Sequence, residues 1–543
     1  MLGERRPRAT AASTAAERAD DRAAVLPSDA QAEQAPRGAW RDPVPWTVAS
    51  LVCCAYFLLS LSRLRQLNPA SYDLGIYTEY VKQLSQLHAP VVDILGPGFN
   101  LLGNHFQIGV AVLAPFFRAF PSPATLLFFQ ALAVAVSVFP VTTAGTAVAG
   151  RTAGRLIGFG YGFSWGLQQM IYADFHEIAL AVPLLAFALS ALVRRRPAAA
   201  ICWAMPLVFI EEDQGISVAA IGLLLVLSAL RPRLLAARDR GDTAGLRREP
   251  LAEDTGDRPP GGYRRAALWG GVFLAGWGVF WTVFAIAVFI PHFNPVHQYY
   301  FWKDGGAVGP GGSAPAWRVA AQLGGGWPVK LRTAVLLLLP TAFAALGSPV
   351  ALVALPGLAL RFLSTNTAYW GTNWQYNATI MPVLFVAAAA AIGRWQRLPG
   401  SPAAAVAMLR TRTLGGIARH GPAMMAAVAV ALAFQFPLND LWRGATYRID
   451  DHVRAADAAM AVVPDGATVQ TTLGLLAPLA ARTDTFWIGN AGNPLTDYVI
   501  IDNDDSGYSP ALKDVPAFVA AMYPDDGYTE VFERDHVYVF RRS

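Results

Sequence analysis

Lysine is almost missing from this sequence. Lys82, Lys303, Lys330 and Lys513 are the only four among 43 cationic residues, so arginine carries nearly all of the positive charge. With alanine abundant, that bias points to a high-GC bacterial source. Charge of either sign is scarce: 15% of residues are charged and 54% are hydrophobic, too apolar for an ordinary soluble domain. The net charge of +5 is scattered over loops and gives no reason to expect a nucleic-acid partner. Cysteine occurs only as Cys53, Cys54 and Cys202, each inside an apolar run, which excludes a disulfide framework. No glycine-rich phosphate loop is present, so ATP-driven work is not expected. The acidic stretch IDNDDSG (501–507) lacks the closing Glu of an EF-hand loop and is not read as a calcium site.

What the chain has instead is long apolar runs, and a bilayer core of about 30 Å needs about 20 helical residues. Candidate spans are 44–62, 123–147, 155–172, 177–193, 198–211, 214–230, 266–290, 331–346, 348–363, 376–393 and 422–437. The expected fold is therefore an all-α polytopic membrane bundle of about 11 transmembrane helices. Residues 1–43, rich in Ala, Arg, Asp and Glu without apolar periodicity, read as a disordered cytoplasmic tail. The run that follows has no small-residue cleavage site and reads as a retained anchor.

Arginine orients the bundle, because short loops rich in positive charge stay cytoplasmic. Arg151, Arg155, Arg194, Arg195 and Arg196, the nine arginines of 231–265 and the five of 394–419 all fall on one side if the N-terminus is inside. A transmembrane domain of 44–437 then has a large first outer loop (63–122) and a cytoplasmic loop (231–265). FQIGVAVLAPFFRAF (106–120) is apolar, but as a span it would invert every arginine-rich loop after it. It is expected to be re-entrant or interfacial on the outer face.

With that topology the unusual polar clusters share the outer face: SYDLGIYTEY (71–80), NHF (104–106), YADFHEIA (172–179), FIEEDQG (209–215) and TAYWGTNWQYNA (367–378). Glu211, Glu212 and Asp213 stand between two short apolar runs. Adjacent carboxylates repel, so at least one should hold a proton, a cation or an arginine; a solvated turn is the plainer reading. Asp174 and His176 are a candidate metal pair, although a capping Asp174 explains the same spacing. His105 is a lone loop histidine, a type more often structural than catalytic. Tyr72, Tyr77 and Tyr80 fit an interfacial belt, whereas Asp73 needs a helix cap or a function. Gly75 permits close backbone approach. Tyr369, Trp370, Trp374, Gln375, Tyr376 and Asn377 combine aromatic faces with amides, as carbohydrate sites do, and also fit ligand-free interfacial aromatics.

Residues 438–543 are more polar and read as a small extracytoplasmic α/β domain. Strands are expected at 467–472, 497–502 and 537–542, with helices over HVRAADAAMAVV and SPALKDVPAFVAAMY.

YDLGIY, LLGNHFQ, ADFHEIALAVPLL, EEDQGI and WQYNATIMP, in this order over roughly 45–400, resemble the predicted-membrane-protein family termed domain of unknown function 2079. Asn104 and Glu211 depart from that family's pattern, which commonly has Asp and Lys there. The architecture is similar to the C-superfamily (GT-C fold) of membrane glycosyltransferases, which use polyprenyl-phosphate sugars. The resemblance implies a catalytic carboxylate soon after the first helix, here Asp73. Substrate contacts would come from Tyr77, His105, His176, Glu177, Glu212, Asp213, Trp370, Gln375, Tyr376 and Asn377. A divalent cation, Mg or Mn, or a cationic side chain would compensate the leaving phosphate. The expected partners are a polyprenyl-phosphate-linked sugar, membrane lipid and a cell-envelope glycan or lipid acceptor, at a bacterial inner membrane. Two alternatives stand beside this one: an ion-coupled transporter using the acidic triplet, and a non-catalytic glycan-binding scaffold.

Overall fold

The computed structural model describes residues 42–69, 71–241, 261–299, 321, 323–397, 405–504, 511–524 and 527–543. The chain divides into two compact units, 1–43 and 44–543, and all but the first two described residues lie in the second. The disordered tail expected at 1–43 lies almost wholly outside the described residues.

The apolar runs form helices: α1 (Pro43–Arg65), α2 (Asp73–Ser85), α3 (Pro123–Ala149), α4 (Arg151–Gly162), α5 (Trp165–Tyr172), α6 (Ile178–Val193), α7 (Pro197–Ala204), α8 (Gln214–Gly241) and α9 (Gly261–Phe284). After these come α10 (Trp327–Leu338), α11 (Leu355–Leu363), α12 (Ile380–Trp395) and α13 (Ala405–Ala433). Among the described residues five helices are long and apolar enough to cross a membrane, by length and composition. Five more apolar helices are shorter, including Ile108–Ala119, the segment expected to be interfacial. That segment buries Val110, Leu113 and Phe117 while Val112, Phe116 and Phe120 stay exposed, the one-sided burial of a surface helix.

Several expected spans are broken. The run 155–172 divides at Phe163–Ser164 into α4 and α5. The run 331–346 stops after Leu338 in a 3-10 turn at Leu339–Thr341. Pro340 cannot donate to the ladder, and Ala342 and Phe343 follow at φ 48° and 59°. The last span begins earlier than 422, since α13 starts at Ala405 and carries Pro422 within it. Close packing comes from small residues. Gly215 and Gly222 of α8 lie against Gly278 and Gly271 of α9, where an added Cβ would stand 2.4 and 2.6 Å from backbone oxygens. Longer-range ties are polar groups aimed at broken helix ends: Tyr56 Oη donates to Gly162 O (2.8 Å) and Trp165 Nε1 to Leu336 O (2.7 Å).

The C-terminal domain has helices α14 (Asp451–Val462), α15 (Leu473–Ala480) and α16 (Val515–Met522) around a five-stranded sheet. Its strands are β1 (Thr468–Thr471), β2 (Asp484–Trp487), β3 (Tyr498–Asp502), β4 (Tyr528–Arg534) and β5 (Val537–Arg542), in the order β2-β1-β3-β5-β4. β1 pairs parallel with β2 and β3, and β5 pairs antiparallel with β3 and β4. The parallel strands bury both faces, so β3 reads YVIID with four buried residues.

This domain sits on α2. A Cβ on Gly75 would stand 3.0 Å from Leu476 Cβ, so the glycine lets α2 approach α15. Lys82 Nζ donates to Thr483 O (2.6 Å) and lies 3.5 Å from Asp484. Tyr72 stacks on Trp487, with ring centroids 5.8 Å apart and planes 6° apart. Asn490 Nδ2 donates to Ile94 O (2.9 Å).

Glu79 lies fully buried at this junction, its Oε2 accepting from Ile94 N–H (3.2 Å) while Oε1 has no partner. Burial pushes its carboxyl up to about 8, against the opposing pull of Lys82. A carboxyl raised in the folded state favours folding fully below its unfolded value of about 4.3 and loses that contribution as pH rises. Thermal unfolding in detergent should therefore show stability falling between about pH 4.3 and 8. Glu79→Gln, which keeps the acceptor and stays neutral, should flatten that slope. An unchanged slope in the variant would show that Glu79 is not the titrating group.

Candidate functional site

The first half of the site is built where α2 begins. Asp73 is the first residue of that helix, and its side chain makes no capping bond. Its Oδ2 instead accepts from Ser71 Oγ–H (2.7 Å) and faces His176 Nε2 (3.1 Å). His176 arrives from the turn before α6, which is bent by Asp174 at φ 71°. Gln130 of α3 braces the turn: its Nε2 donates to Asp174 O (2.7 Å) and its Oε1 accepts from His176 N–H (2.9 Å). Asp174 Oδ2 accepts from Ser71 N–H (3.1 Å), so the two turns hold one another. The imidazole is buried at 5% exposure, whereas the Asp73 side chain keeps 34%. Burial would raise the Asp73 carboxyl, but the His176 hydrogen bond and charge, with Ser71, bring it below its ordinary value. Burial would lower His176, and Asp73 outweighs it and raises the imidazole. Each partner thus favours the charged form of the other. One turn along α2, Tyr77 Oη donates to Glu177 and lies 2.8 Å from Gln107 Oε1.

The second half is the acidic triplet, which ends the 3-10 turn Met205–Phe209 and precedes α8. Glu212 is buried but fully partnered. Its Oε1 meets His105 Nδ1 (2.8 Å) and accepts from Tyr299 Oη–H (2.7 Å), and its Oε2 accepts from Phe106 N–H (3.1 Å). Burial would raise Glu212, and His105 and Tyr299 hold it low instead. Burial would likewise depress His105, yet Glu212 raises it to about 9. Glu211 and Asp213 have no such cation. Burial, then the neighbouring carboxylates, push Glu211 well above its ordinary value and Asp213 up to about 6. Gln214 Nε2 donates to Asp213 Oδ1 (2.7 Å).

Glu177, Glu211, Glu212 and Asp213 line one cavity of about 360 Å³, with Tyr369, Gln375 and Tyr376 on its far side. Arg361 also lines it, but its guanidinium is consumed by the loop 369–377: it donates to Tyr369 O (2.9 Å), Tyr376 O (2.9 Å) and Asn377 Oδ1 (3.0 Å). Asn377 is accordingly buried in the loop's own bonding. Trp370 faces elsewhere, with Lys330 Nζ 4.1 Å above its ring and its Nε1 donating to Ser364 O (2.9 Å).

Of the residues expected from sequence, Asp73, Tyr77, His105, His176, Glu177, Glu212 and Asp213 come together, with Gln375 and Tyr376 facing them across the cavity. Trp370 and Asn377 shape the loop. Ser71, Gln107, Gln130 and Arg361 were not singled out, and nothing local in the sequence marks them. Asp174 and His176 do not converge on one point, since their carboxylate and ring are committed to Ser71 and Asp73. Among the described residues no three His, Cys, Asp or Glu side chains gather as a metal-holding set. For a divalent cation the better pair is Glu211 and Asp213, beside the Gln214 Oε1 that has no partner.

The chain belongs to the family described as predicted membrane protein, domain of unknown function 2079, whose model matches residues 63–539. No curated protein matches it. Among solved structures it is similar to the crystal structure of ArnT from Cupriavidus metallidurans bound to undecaprenyl phosphate, at 13% identity over 93% of this chain and 98% of that one, with a TM-score of 0.49.

The His105–Glu212 pair supports folding fully below the unfolded histidine value of about 6.5, and that support is lost as pH rises through about 9. His105→Ala should cost about 3–5 kcal/mol at pH 7, because it leaves a buried carboxylate short of its cation. The same variant should lose the fall in melting temperature between pH 6.5 and 9. A wild-type melting temperature flat across that interval would show that His105 is neutral.

Proposed function

We propose that this protein is a membrane glycosyltransferase that moves a sugar from a polyprenyl-phosphate donor to an acceptor hydroxyl on the extracytoplasmic side. The observation that carries the reading is Asp73. It is an ionised carboxylate with a part-exposed side chain, fixed by a buried imidazole, one helical turn before the Tyr77 that bonds Glu177 in the wall of the carboxylate cavity. The positive-inside distribution of arginine along the sequence supports that orientation.

In this reaction Asp73 accepts the proton of the acceptor hydroxyl as its oxygen bonds to the anomeric carbon. The bond from that carbon to the phosphate oxygen breaks, and its electron pair leaves with the polyprenyl phosphate. Asp73 is a weak base while His176 holds it. Oδ2 is engaged by Ser71 and His176, so the acceptor hydroxyl would deliver its proton to Oδ1. Tyr77, Glu177, Gln375 and Tyr376 supply acceptors and donors for sugar hydroxyls and an aromatic face for the ring.

A second reading, ion-coupled transport, draws on Glu211 and Asp213, two half-buried carboxyls whose affinity for protons is raised. The readings separate on one comparison in reconstituted vesicles. Asp73→Asn should lower sugar transfer from a polyprenyl-phosphate donor by about 10²–10⁴ while leaving the folded protein intact. Transfer unaffected by Asp73→Asn would remove the transferase reading. Proton-driven uptake abolished by Asp213→Asn would put transport in its place.

A further inference from the structure

The phosphate of the donor is poorly served by the cavity just described. Four carboxylates line it, His105 is paired with one of them, and the Arg361 donors are occupied by carbonyl and amide oxygens. Like charges within a few ångströms repel by several kcal/mol when water is scarce.

On the other side of the loop 371–374 lies a second and larger cavity, of about 1060 Å³. It opens between the end of α5, the start of α10 and the segment that follows α13. Its charges are reversed. Arg332 of α10 has no partner among the described residues, and Arg443 faces it from another element. Arg443 also meets Asp440, which lines the same cleft at 3.3 Å from the guanidinium, so the walls carry a net charge of one. Asn373 and Asn439 add neutral donors. Along α10, Trp327, Leu331 and Val335 recur every four residues, which puts them on one helix stripe that runs away from the loop end. All three line the cleft and are 62%, 53% and 42% exposed, the signature of an apolar flank that meets hydrocarbon.

We infer that this arginine cleft, rather than the carboxylate cavity, holds the phosphate head of an isoprenoid lipid, with its chain laid along the Trp327–Leu331–Val335 stripe. The inference rests on the transferase reading and divides its substrates. Phosphate and anomeric carbon are joined through one oxygen, so the reacting bond lies at the edge of the loop 371–377, with the anion toward the arginine cleft and the sugar and acceptor hydroxyls toward the carboxylates. The loop is the partition, because Trp374 lines the cleft whereas Gln375 and Tyr376 line the cavity. Trp374 adopts φ 67° and ψ −176°, a backbone that L residues rarely take, and the residues on either side of it consequently face different chambers.

Binding of undecaprenyl phosphate to the full-length protein in detergent tests this, with undecaprenol and inorganic phosphate as the other probes. Wild type should bind the lipid phosphate and prefer it over undecaprenol at least tenfold, with no saturable binding of inorganic phosphate. Arg332→Gln and the double variant with Arg443→Gln should each weaken lipid-phosphate binding, by about tenfold and more, without moving the melting temperature. Asp213→Asn should leave binding unchanged or tighten it. Equal affinity in the arginine variants, or a larger loss in Asp213→Asn, would overturn the assignment. Inorganic phosphate bound as tightly as the lipid would replace the lipid headgroup with a soluble phosphate ligand. Arginine-dependent binding without Asp73-dependent sugar transfer would keep this cleft and discard the transferase. Asp73-dependent transfer that ignores both arginines would do the reverse.

Discussion

Four carboxylates line one cavity, and the fold is organised around making that tolerable. Glu177 and Glu212 are only 5% and 3% exposed. An unpaired buried carboxylate costs several kcal/mol, so each must be given a proton, a cation or donors. The chain uses a different answer for each. Glu212 receives an imidazolium and a backbone N–H from the adjacent His105 and Phe106, and a phenol from Tyr299. Glu177 receives the Tyr77 hydroxyl. Glu211 and Asp213 receive too little and hold their protons more tightly. That shortfall is the chemically useful part, because a site that has satisfied every group has nothing left for a ligand.

The same constraint explains why the C-terminal domain belongs to the site without lining it. Asp73 can face His176 only if α2 starts at a fixed place, and α2 is a short helix with no apolar span to anchor it. Its outer side is covered by α15 at Gly75, by Trp487 at Tyr72 and by Thr483 at Lys82. Its inner side meets the turn before α6. The helix is therefore clamped between two bodies, which is what a reacting carboxylate needs if its geometry is to be set before substrate arrives.

Much of this was legible in the sequence, and the reasons for the remainder are physical. The strands expected at 467–472, 497–502 and 537–542 form at 468–471, 498–502 and 537–542, where β-branched runs are bounded by turn residues. β2 and β4 escaped notice: DTFW is too short to show a period, and YTEVFER alternates charges along an exposed edge. The polar clusters did point to the site, because charge between apolar runs is expensive and needs a purpose. Their pairings could not be read. His176 meets Asp73 across 103 residues and His105 meets Glu212 across 107, and no local pattern encodes such a distance. Aromatic richness also misled at Trp370, whose ring supports a loop and does not line the cavity. Composition tells what a residue can touch, whereas the backbone around Trp374 decides which chamber it faces.

The broken helices carry the last step of the argument. A straight span delivers one residue to the end of the bundle, while a break at that end exposes backbone groups that must find partners. Here the breaks fall between α4 and α5, before α6, before α8 and after α10. Long polar side chains meet the freed groups: Gln130 Nε2 at Asp174 O before α6 (2.7 Å) and Gln168 Nε2 at Phe163 O between α4 and α5 (2.8 Å), while Arg361 does the same at Tyr376 O in the loop before α12 (2.9 Å). These residues are fixed in the interior by the demands of the backbone, and their own bonds are spent. Reactive capacity is left to the residues that the breaks present beside them, Asp73, Glu211 and Asp213 on one side of the loop and Arg332 on the other. Separating an arginine cleft from a carboxylate cavity in this way needs no extra domain, only a loop whose neighbouring residues turn in opposite directions.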